Sequence, residues 1–222
     1  MCPSCRQRSK RASTPVEYTA EGRIRSAFAL WKFERDAPVR LVLHRLKYGN
    51  CPWIGLELGE DLARSGSVLL EEPWDVIIPV PLHKLRLLER GYNQSDWIAR
   101  GIGRAMNVPV ASRELVRQRN TKSQTDLARD DRRANVENAF ALRGVCALEG
   151  CRVILVDDTL TTGATLGAAA RILVDAGVAL VQPAAVAHAT LWLDEEQPDV
   201  RSVIPSQTKS VSHGASIVGY NL

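Results

Sequence analysis

The segment that most constrains the fold is VILVDDTLTTGATL, at residues 153–166. Four consecutive aliphatic residues are typical of a short strand that is buried on both faces, as in parallel sheets. Asp157 and Asp158 follow at once, and a run of Thr and Gly leads into a helical pattern. Adjacent carboxylates repel each other, so this arrangement needs a reason. The segment predicts a parallel sheet with a polar ligand at the carboxyl end of this strand.

The chemistry of this segment suits a sugar phosphate. Each carboxylate can accept a charge-assisted hydrogen bond from a hydroxyl group, so Asp157 and Asp158 suit a ribose diol. Free N–H groups at the start of the next helix favour a phosphate, and Gly163 allows close approach of the backbone. The predicted ribose-phosphate site comprises Asp157, Asp158, Thr159, Leu160, Thr161, Thr162, Gly163, Ala164 and Thr165. The alternative is an acidic turn before a helix with a Thr cap.

The rest of the chain predicts strands that alternate with helices. Aliphatic runs predict strands at residues 26–34, 74–81, 112–117, 152–156 and 178–187. Apolar periods predict helices at residues 38–47, 53–64, 93–106 and 163–176. This alternation predicts an α/β fold with a mainly parallel sheet and helices on both faces. We expect three regions, namely a basic N-terminal segment, one domain and a weakly structured polar tail, at residues 1–19, 20–190 and 191–222.

Composition and charge limit the class of protein. Of the 222 residues, 45% are hydrophobic and 24% are charged, which is ordinary for a globular protein with a sizeable core. The net charge of +4 permits phosphate-rich ligands or nucleic acid and requires neither. No apolar run approaches the ~20 residues of a membrane helix, and the start lacks the apolar stretch of a secretory signal. We therefore expect a cytoplasmic protein without membrane insertion.

Residues 153–166 resemble the phosphoribosyl diphosphate (PRPP) motif of type I phosphoribosyltransferases: four aliphatic residues, two acids, two variable positions and Thr-Thr-Gly-x-Thr. The resemblance implies the type I fold and displacement of pyrophosphate from PRPP by a nitrogen nucleophile. It also implies Mg²⁺ bridged by the ligand, without direct protein ligands. Several base-transferring members carry an acid where this chain has Thr161. The acceptor, a nucleobase or an amine, therefore stays open.

Three further stretches resemble the ComF family, phosphoribosyltransferase-like proteins associated with competence for DNA uptake. They are LHRLKYG, VPLHKLRLLERGYNQS and RRANVENAF, at residues 43–49, 80–95 and 132–140. The resemblance covers roughly residues 20–188 and implies a PRPP-binding transferase. Single-stranded DNA and DNA-uptake proteins are further partners that it implies. Two alternatives stay open: a nucleic-acid accessory protein without catalysis, and a PRPP sensor that binds without turnover.

The basic stretch at residues 82–92 is predicted to be a loop. By the same resemblance it binds the leaving pyrophosphate, whose developing charge fixed cations would stabilise. The expected pyrophosphate residues are Lys47, Pro81, Leu82, His83, Lys84, Arg86 and Arg90. The alternatives are a solvated basic turn, a His83 that only orders the loop, and a Lys47 that faces a helix dipole.

Residues 118–135 combine dense charge with amides and lack an apolar period, so they predict a long mobile loop. Together with Arg117, the resemblance makes this the loop that closes over bound PRPP and brings cations to the pyrophosphate. Arg132 and Arg133 are therefore expected to be catalytic, together with Asp157 and Asp158. A solvated charged surface is the alternative.

The sequence CPSC at residues 2–5 supplies one pair with metal-ligand spacing. ComF proteins usually open with a zinc ribbon that has two such pairs, and a closed structural site needs four ligands. The nearest other candidates are His44 and Cys51. We expect Cys2 and Cys5 to be a remnant without zinc, and the alternative is a site completed by another chain. The other cysteines, Cys51, Cys146 and Cys151, are expected to be buried or incidental thiols.

Overall fold

The computed structural model describes residues 3–12, 22–34, 36–118, 139–143 and 148–189. The chain divides into two units, Met1–Leu191 and Trp192–Leu222, and every described residue belongs to the first. Several expectations therefore lie outside the described residues: the polar tail, most of the expected closing loop with Arg132 and Arg133, and the thiols of Cys2 and Cys146. They stay predictions.

A parallel sheet of four strands lies at the centre of this structure. The strands, in chain order, are β1 (Phe28–Lys32), β2 (Val76–Pro79), β3 (Leu115–Arg117), β4 (Phe140–Leu142), β5 (Arg152–Leu160) and β6 (Leu180–His188). The central sheet has the order β1-β6-β5-β2, and each neighbouring pair is parallel. Strands β3 and β4 form a separate antiparallel pair. The predicted α/β class with a mainly parallel sheet is confirmed.

The helices, in chain order, are α1 (Pro3–Arg8), α2 (Pro38–Tyr48), α3 (Trp53–Ser65), α4 (Ser67–Leu70), α5 (Lys84–Arg90), α6 (Gln94–Met106) and α7 (Ala164–Asp175). Four of them, α2, α3, α6 and α7, agree with the predicted helices to within about one residue at each end. The short helices α1 and α4 were not predicted. None of the helices in the described ranges is long and apolar enough to cross a membrane.

Helix α5 corrects the prediction of a loop at residues 82–92. The side chain of His83 accepts a hydrogen bond from Leu85 N and caps the helix, which ends at Gly91 with φ 81°. Leu, Lys, Arg and Glu fill the segment and are good helix formers. None of its seven residues, all of them described, is buried. The helix therefore packs no face in the core, and the basic composition of the segment alone favoured a loop.

Helices cover both faces of the sheet, as predicted. Along β5, Val153 and Leu155 join one core cluster with residues of α7. The alternate residues, Ile154 and Val156, join a second cluster with residues of α2, α3 and α6. Side chains of a strand alternate between its faces, so β5 is buried between two helical layers.

Strand β5 is longer than predicted. The expected end at Val156 is wrong, because the strand continues to Leu160. Asp157 pairs in register with Ala185, and Leu160 pairs with His188. Strand β6 is equally long, and its backbone groups pair with β5 whatever the polarity of the side chains. The acidic pair thus lies within a strand, and the polar loop before α7 shortens to residues 161–163.

Helices α3 and α6 touch through glycine. A Cβ added at Gly59 would lie 2.1 Å from the Ile98 carbonyl oxygen, and one at Gly101 would lie 2.2 Å from that of Leu56. Both distances are impossible for real atoms, so the two backbones approach as closely as they do only because these positions lack a side chain. This contact fixes α6, whose N-terminal end reaches the carboxyl edge of the sheet.

Candidate functional site

A cavity of about 320 Å³ opens at the carboxyl edge of the sheet. Its lining includes most of the residues predicted to bind ribose, phosphate and pyrophosphate. Those residues are Lys47, Pro81, Leu82, His83, Arg86, Arg90, Asp157, Asp158, Thr159, Leu160, Thr161, Gly163 and Thr165. Three predicted residues, Lys84, Thr162 and Ala164, are not among the residues that line it. We call this space the main cavity.

Lys47 and Asp158 form an ion pair in the main cavity. Lys47 Nζ lies 2.7 Å from Asp158 Oδ2 and 3.4 Å from Thr159 Oγ1. Asp158 is buried, and its place two residues after Val156 puts it on the face of β5 that α2 covers. Burial lowers the pKa of Lys47, but the charges of Asp158 and Asp157 outweigh that effect and raise it overall. Lys47 is therefore charged and belongs to the site rather than to a helix dipole alone.

Asp157 has different partners. Ser95 Oγ donates a hydrogen bond to Asp157 Oδ1 at 2.9 Å, and the N–H of Asp158 donates to the same oxygen at 2.8 Å. Burial, and then the neighbouring charge of Asp158, raises the pKa of Asp157 from 3.8 to about 7. The two adjacent acids are thus unequal: Asp158 is held by a cation and Asp157 by neutral donors.

The start of α7 forms the opposite end of the main cavity. Gly163 is the N-cap residue of this helix and has φ 78°, a left-handed conformation that favours glycine. Thr162 Oγ1 accepts a hydrogen bond from Ala164 N at 3.4 Å, while Thr161 and Thr165 line the cavity. The free N–H groups of the first helical turn suit a phosphate. The Thr162 contact also provides part of the Thr-capped turn, which is the alternative interpretation of this segment as a turn without a ligand.

The cationic wall of the main cavity comes from α5. Arg86 and Arg90 line the cavity, and a guanidinium nitrogen of Arg90 donates to the amide oxygen of Gln94. His83 caps the helix through Nδ1 and so orders this segment, as one alternative expected. Lys84 is exposed and lies away from the cavity lining. Of the three cations predicted on this segment, only Arg86 and Arg90, which lie on one face of α5, line the main cavity.

Three polar residues at the cavity were not predicted: Tyr48 and Gln94 line it, and Ser95 contacts Asp157 beside it. Arg117, expected as part of the closing loop, also lines the cavity. Arg117 extends from β3 with its guanidinium carbon 5.5 Å from the centre of the Phe140 ring. Burial lowers the pKa of Arg117, and the charge of Asp157 partly offsets this. For Gln94 and Ser95 a signal existed, because a helix that follows β2 must begin at the carboxyl edge of the sheet.

The described cysteines lie apart from one another. In the part of the chain that the structure describes, no group of three or more His, Cys, Asp or Glu residues is arranged to hold a metal ion. Cys5 lies on α1 and is half-buried, as are Cys51 and Cys151. Cys51 and Cys151, which were expected to be buried or incidental thiols, are therefore not fully buried.

The chain is similar in sequence to two bacterial proteins. It is 34% identical over 160 residues to Competence protein F of Haemophilus influenzae, which covers 68% of this chain and 69% of that protein. It is 31% identical over 192 residues to DNA utilization protein YhgH of Salmonella typhimurium, which covers 82% of this chain and 81% of that protein. No family model matches the chain.

Among solved structures, the chain is similar to an adenine phosphoribosyl transferase from Trypanosoma brucei in complex with AMP, pyrophosphate and ribose-5-phosphate. The TM-score is 0.42 at 15% identity, over 82% of this chain and 93% of that chain. This match is too loose to support an assignment by itself. The two sequence similarities, by contrast, extend over more than two thirds of both partners.

Proposed function

The chain belongs to the ComF family of competence-associated proteins, and from this membership we propose that it binds PRPP in the main cavity and transfers the phosphoribosyl group to a nitrogen acceptor. One observation carries the proposal: a carboxylate pair, a helix N-terminus and two arginines converge on a single cavity of about 320 Å³. These three features match the ribose diol, the 5-phosphate and the pyrophosphate of one ligand. We place the reaction within the DNA-uptake role of the family.

Each end of PRPP has a binding element in this proposal. Asp157 and Asp158 accept hydrogen bonds from the ribose hydroxyls. The 5-phosphate binds the N–H groups at residues 161–165, where Gly163 permits close approach. The pyrophosphate lies against Arg86 and Arg90 and the backbone of residues 81–83. The catalytic roles of Arg132 and Arg133, which lie outside the described residues, remain part of the proposal.

The reaction would form one bond and break one bond at the anomeric carbon. The acceptor nitrogen bonds to that carbon, the carbon–oxygen bond to pyrophosphate breaks, and its electron pair leaves with pyrophosphate. The proton of the acceptor nitrogen passes to solvent. Arg86 and Arg90 stabilise the charge that develops on the leaving group.

Magnesium fits this site as a companion of PRPP rather than as a resident of the protein. Asp158 is already paired with Lys47, and Asp157 already accepts two hydrogen bonds. We therefore propose that the oxygens of PRPP hold most of the coordination sphere of Mg²⁺. When bound, the ion would neutralise charge on the pyrophosphate.

Calorimetry tests the binding step. We expect PRPP to bind with Mg²⁺ and to bind more weakly in its absence, and ribose 5-phosphate to bind through the acids and the phosphate loop. Asp157→Asn with Asp158→Asn should lower PRPP affinity at least tens-fold, because each charged hydrogen bond contributes about 1.5–3 kcal/mol. Unchanged affinity in the double variant would refute the ribose assignment. Release of pyrophosphate with a panel of nucleobases and amines then tests turnover.

Two non-catalytic functions remain as alternatives within the same family. A PRPP sensor would bind PRPP and release no pyrophosphate with any acceptor. A nucleic-acid accessory protein would bind single-stranded DNA, and the exposed cations of α5, Lys84 and Arg86, favour a phosphate backbone there. That binding should weaken steeply with salt because counterions are released. The absence of DNA binding at low salt would remove direct contact with DNA.

A further inference from the structure

Residues 92–95, which we call the junction segment, bond through their side chains to four different elements around the main cavity: α2, the end of β2, α5 and β5. The partners of Tyr92, Asn93, Gln94 and Ser95 are, in that order, the carbonyls of Leu46 and Val80, the guanidinium of Arg90 and the carboxylate of Asp157. Two of these partners, Arg90 and Asp157, are proposed above to bind opposite ends of PRPP. The junction segment therefore joins the two halves of the proposed site.

Gln94 is the member of the junction segment that holds a cation. It is the first residue of α6 and is only 5% exposed. A buried amide needs hydrogen-bond partners, and the guanidinium of Arg90 donates to its oxygen. Arg90 also lies against the ring of Tyr48, with 5.4 Å between its guanidinium carbon and the ring centre. Because the amide and the ring are both neutral, they hold Arg90 in place without cancelling its charge.

Arg86, the other arginine of the main cavity, has an acidic partner. A guanidinium nitrogen of Arg86 lies 3.2 Å from Glu89 Oε2, and the two side chains are 49% and 64% exposed. A carboxylate competes with a phosphate for the same N–H groups, and solvent screens the charge that remains. The two arginines are thus unequal, because Arg90 keeps its charge for an anion whereas Arg86 shares its charge with Glu89.

We propose that Gln94 is a positioning residue, which holds the guanidinium of Arg90 toward the leaving pyrophosphate and, as an amide rather than an acid, leaves its charge intact. This inference rests on the proposed function. It makes Arg90, rather than Arg86, the main cation for the leaving group. When the bond from the anomeric carbon to pyrophosphate breaks, the electron pair leaves on a pyrophosphate oxygen, and the fixed charge of Arg90 stabilises it.

Calorimetry with inorganic pyrophosphate and Mg²⁺, and separately with ribose 5-phosphate, tests the proposal. Gln94→Glu keeps the acceptor for Arg90 and suits the first turn of a helix, but it neutralises the guanidinium. We expect this variant to bind pyrophosphate at least about tenfold more weakly, and to change ribose 5-phosphate affinity much less. If Gln94 served the fold alone, Glu would preserve pyrophosphate affinity, because it preserves the hydrogen bond.

A second variant separates positioning from direct contact, since Gln94 itself lines the main cavity. Gln94→Met removes the acceptor at a similar size and should weaken pyrophosphate binding several-fold. In a protein that already carries Arg90→Met, the same change should have no further effect, because Gln94 acts through Arg90. An equal loss in both backgrounds would mean that Gln94 contacts pyrophosphate itself, and would overturn the proposal.

Two further variants give the controls. Asn107→Asp adds the same charge at the other end of α6, about 20 Å from Gln94. Its backbone has φ 56°, which Asp tolerates, and the change should alter neither affinity. Glu89→Gln releases Arg86 from its partner and should strengthen pyrophosphate binding only slightly, since an exposed ion pair contributes little. Circular dichroism checks that each variant is folded.

The outcomes separate this inference from the function on which it rests. If the unmodified protein binds pyrophosphate and Gln94→Glu binds it equally well, the inference is refuted while the proposed function stands. If Gln94→Glu weakens pyrophosphate and ribose 5-phosphate by the same factor, Gln94 supports the whole cavity rather than Arg90, and the inference is again overturned. If the unmodified protein does not bind pyrophosphate, the proposed leaving-group site fails, and the inference fails with it.

Discussion

Lys47 on α2 and Asp158 on β5 form an ion pair in the main cavity, with Nζ 2.7 Å from Oδ2. The pair joins a helix near the beginning of the domain to the end of a central strand. It also makes the two adjacent acids unequal, because Asp157 has no such cation and instead accepts hydrogen bonds from Ser95 Oγ and from the N–H of Asp158. Asp158 thereby fixes α2 to the sheet, and Asp157 keeps a neutral set of partners.

Lys47→Met should destabilise the protein and weaken PRPP binding. It leaves the buried carboxylate of Asp158 without its cation, which costs about 3 kcal/mol of unfolding free energy. In the double variant with Asp158→Asn, most of the stability should return and the PRPP affinity should not. Urea denaturation and calorimetry measure the two quantities.

A surface pair provides the control for the Lys47 experiment. Lys10 and Glu34 approach to 3.0 Å with 70% and 33% of their side chains exposed. Lys10→Met should therefore cost less than about 1 kcal/mol and leave ligand binding unchanged. A loss equal to that of Lys47→Met would contradict a special role for the Lys47 pair.

Stability should fall as the pH rises toward neutrality, because of Asp157. Its pKa of about 7 in the folded protein exceeds the ordinary value of 3.8, so the folded state holds a proton that the unfolded chain has released. The stability that this proton gives is complete at low pH and is lost as the pH rises through about 7. The charged neighbours are Asp158, Lys47 and Arg117.

The test of this pH dependence is Asp157→Asn, which cannot titrate. Between about pH 5 and about pH 8 the unmodified protein should lose roughly 2 kcal/mol of unfolding free energy more than the variant does. Urea denaturation at the two pH values measures the difference. Parallel pH profiles for both proteins would show that Asp157 titrates normally in the folded state.

Gly163→Ala should lower PRPP affinity at least tenfold. The left-handed backbone at φ 78° strains any residue with a Cβ by about 1–2 kcal/mol, and the added methyl group stands where a phosphate would approach. Gly177, just beyond the other end of α7, has φ 87° and is the matched control. Gly177→Ala should cost similar stability and leave affinity intact. Equal affinity losses would show that strain alone explains the effect.

The purified chain should contain less than one equivalent of tightly bound zinc, since Cys2 and Cys5 supply one ligand pair and a closed structural site needs four ligands. Elemental analysis after dialysis measures the content. A full equivalent that disappears in Cys2→Ser would refute the remnant and favour a site completed by another chain. The Cys51→Ser variant serves as the control.

The parallel sheet could be predicted because its strands appear in the sequence as short aliphatic runs. Val153 to Val156 form a continuous aliphatic run, which is typical of a strand covered on both faces. The acidic pair could be predicted as a site for a different reason: two adjacent carboxylates repel each other, so their position directly after an aliphatic run indicates a ligand. The sequence alone therefore predicts Asp157 and Asp158 as site residues.

The features that were not predicted depend on which segments pack together in the folded chain and which do not. Helix α5 has no buried residue, and its Leu88 is 80% exposed, so no face of this helix packs in the core. The many basic residues of the segment therefore favoured a loop at the level of sequence. The length of β5 depends on its pairing with β6, which local sequence does not encode. Ser95 and Tyr48 carry no unusual motif, and only the fold brings them to the acidic pair and the cavity wall.

The glycine contact between α3 and α6 has a consequence for mutational screens of this protein. A side chain at Gly59 or Gly101 would force α6 away from α3, and Ser95 would move with the helix. Substitutions at these glycines would therefore appear in a saturation screen among the residues that abolish ligand binding, although neither lines a cavity. Loss of binding in such a screen would therefore identify residues that position Asp157 as well as residues that contact the ligand.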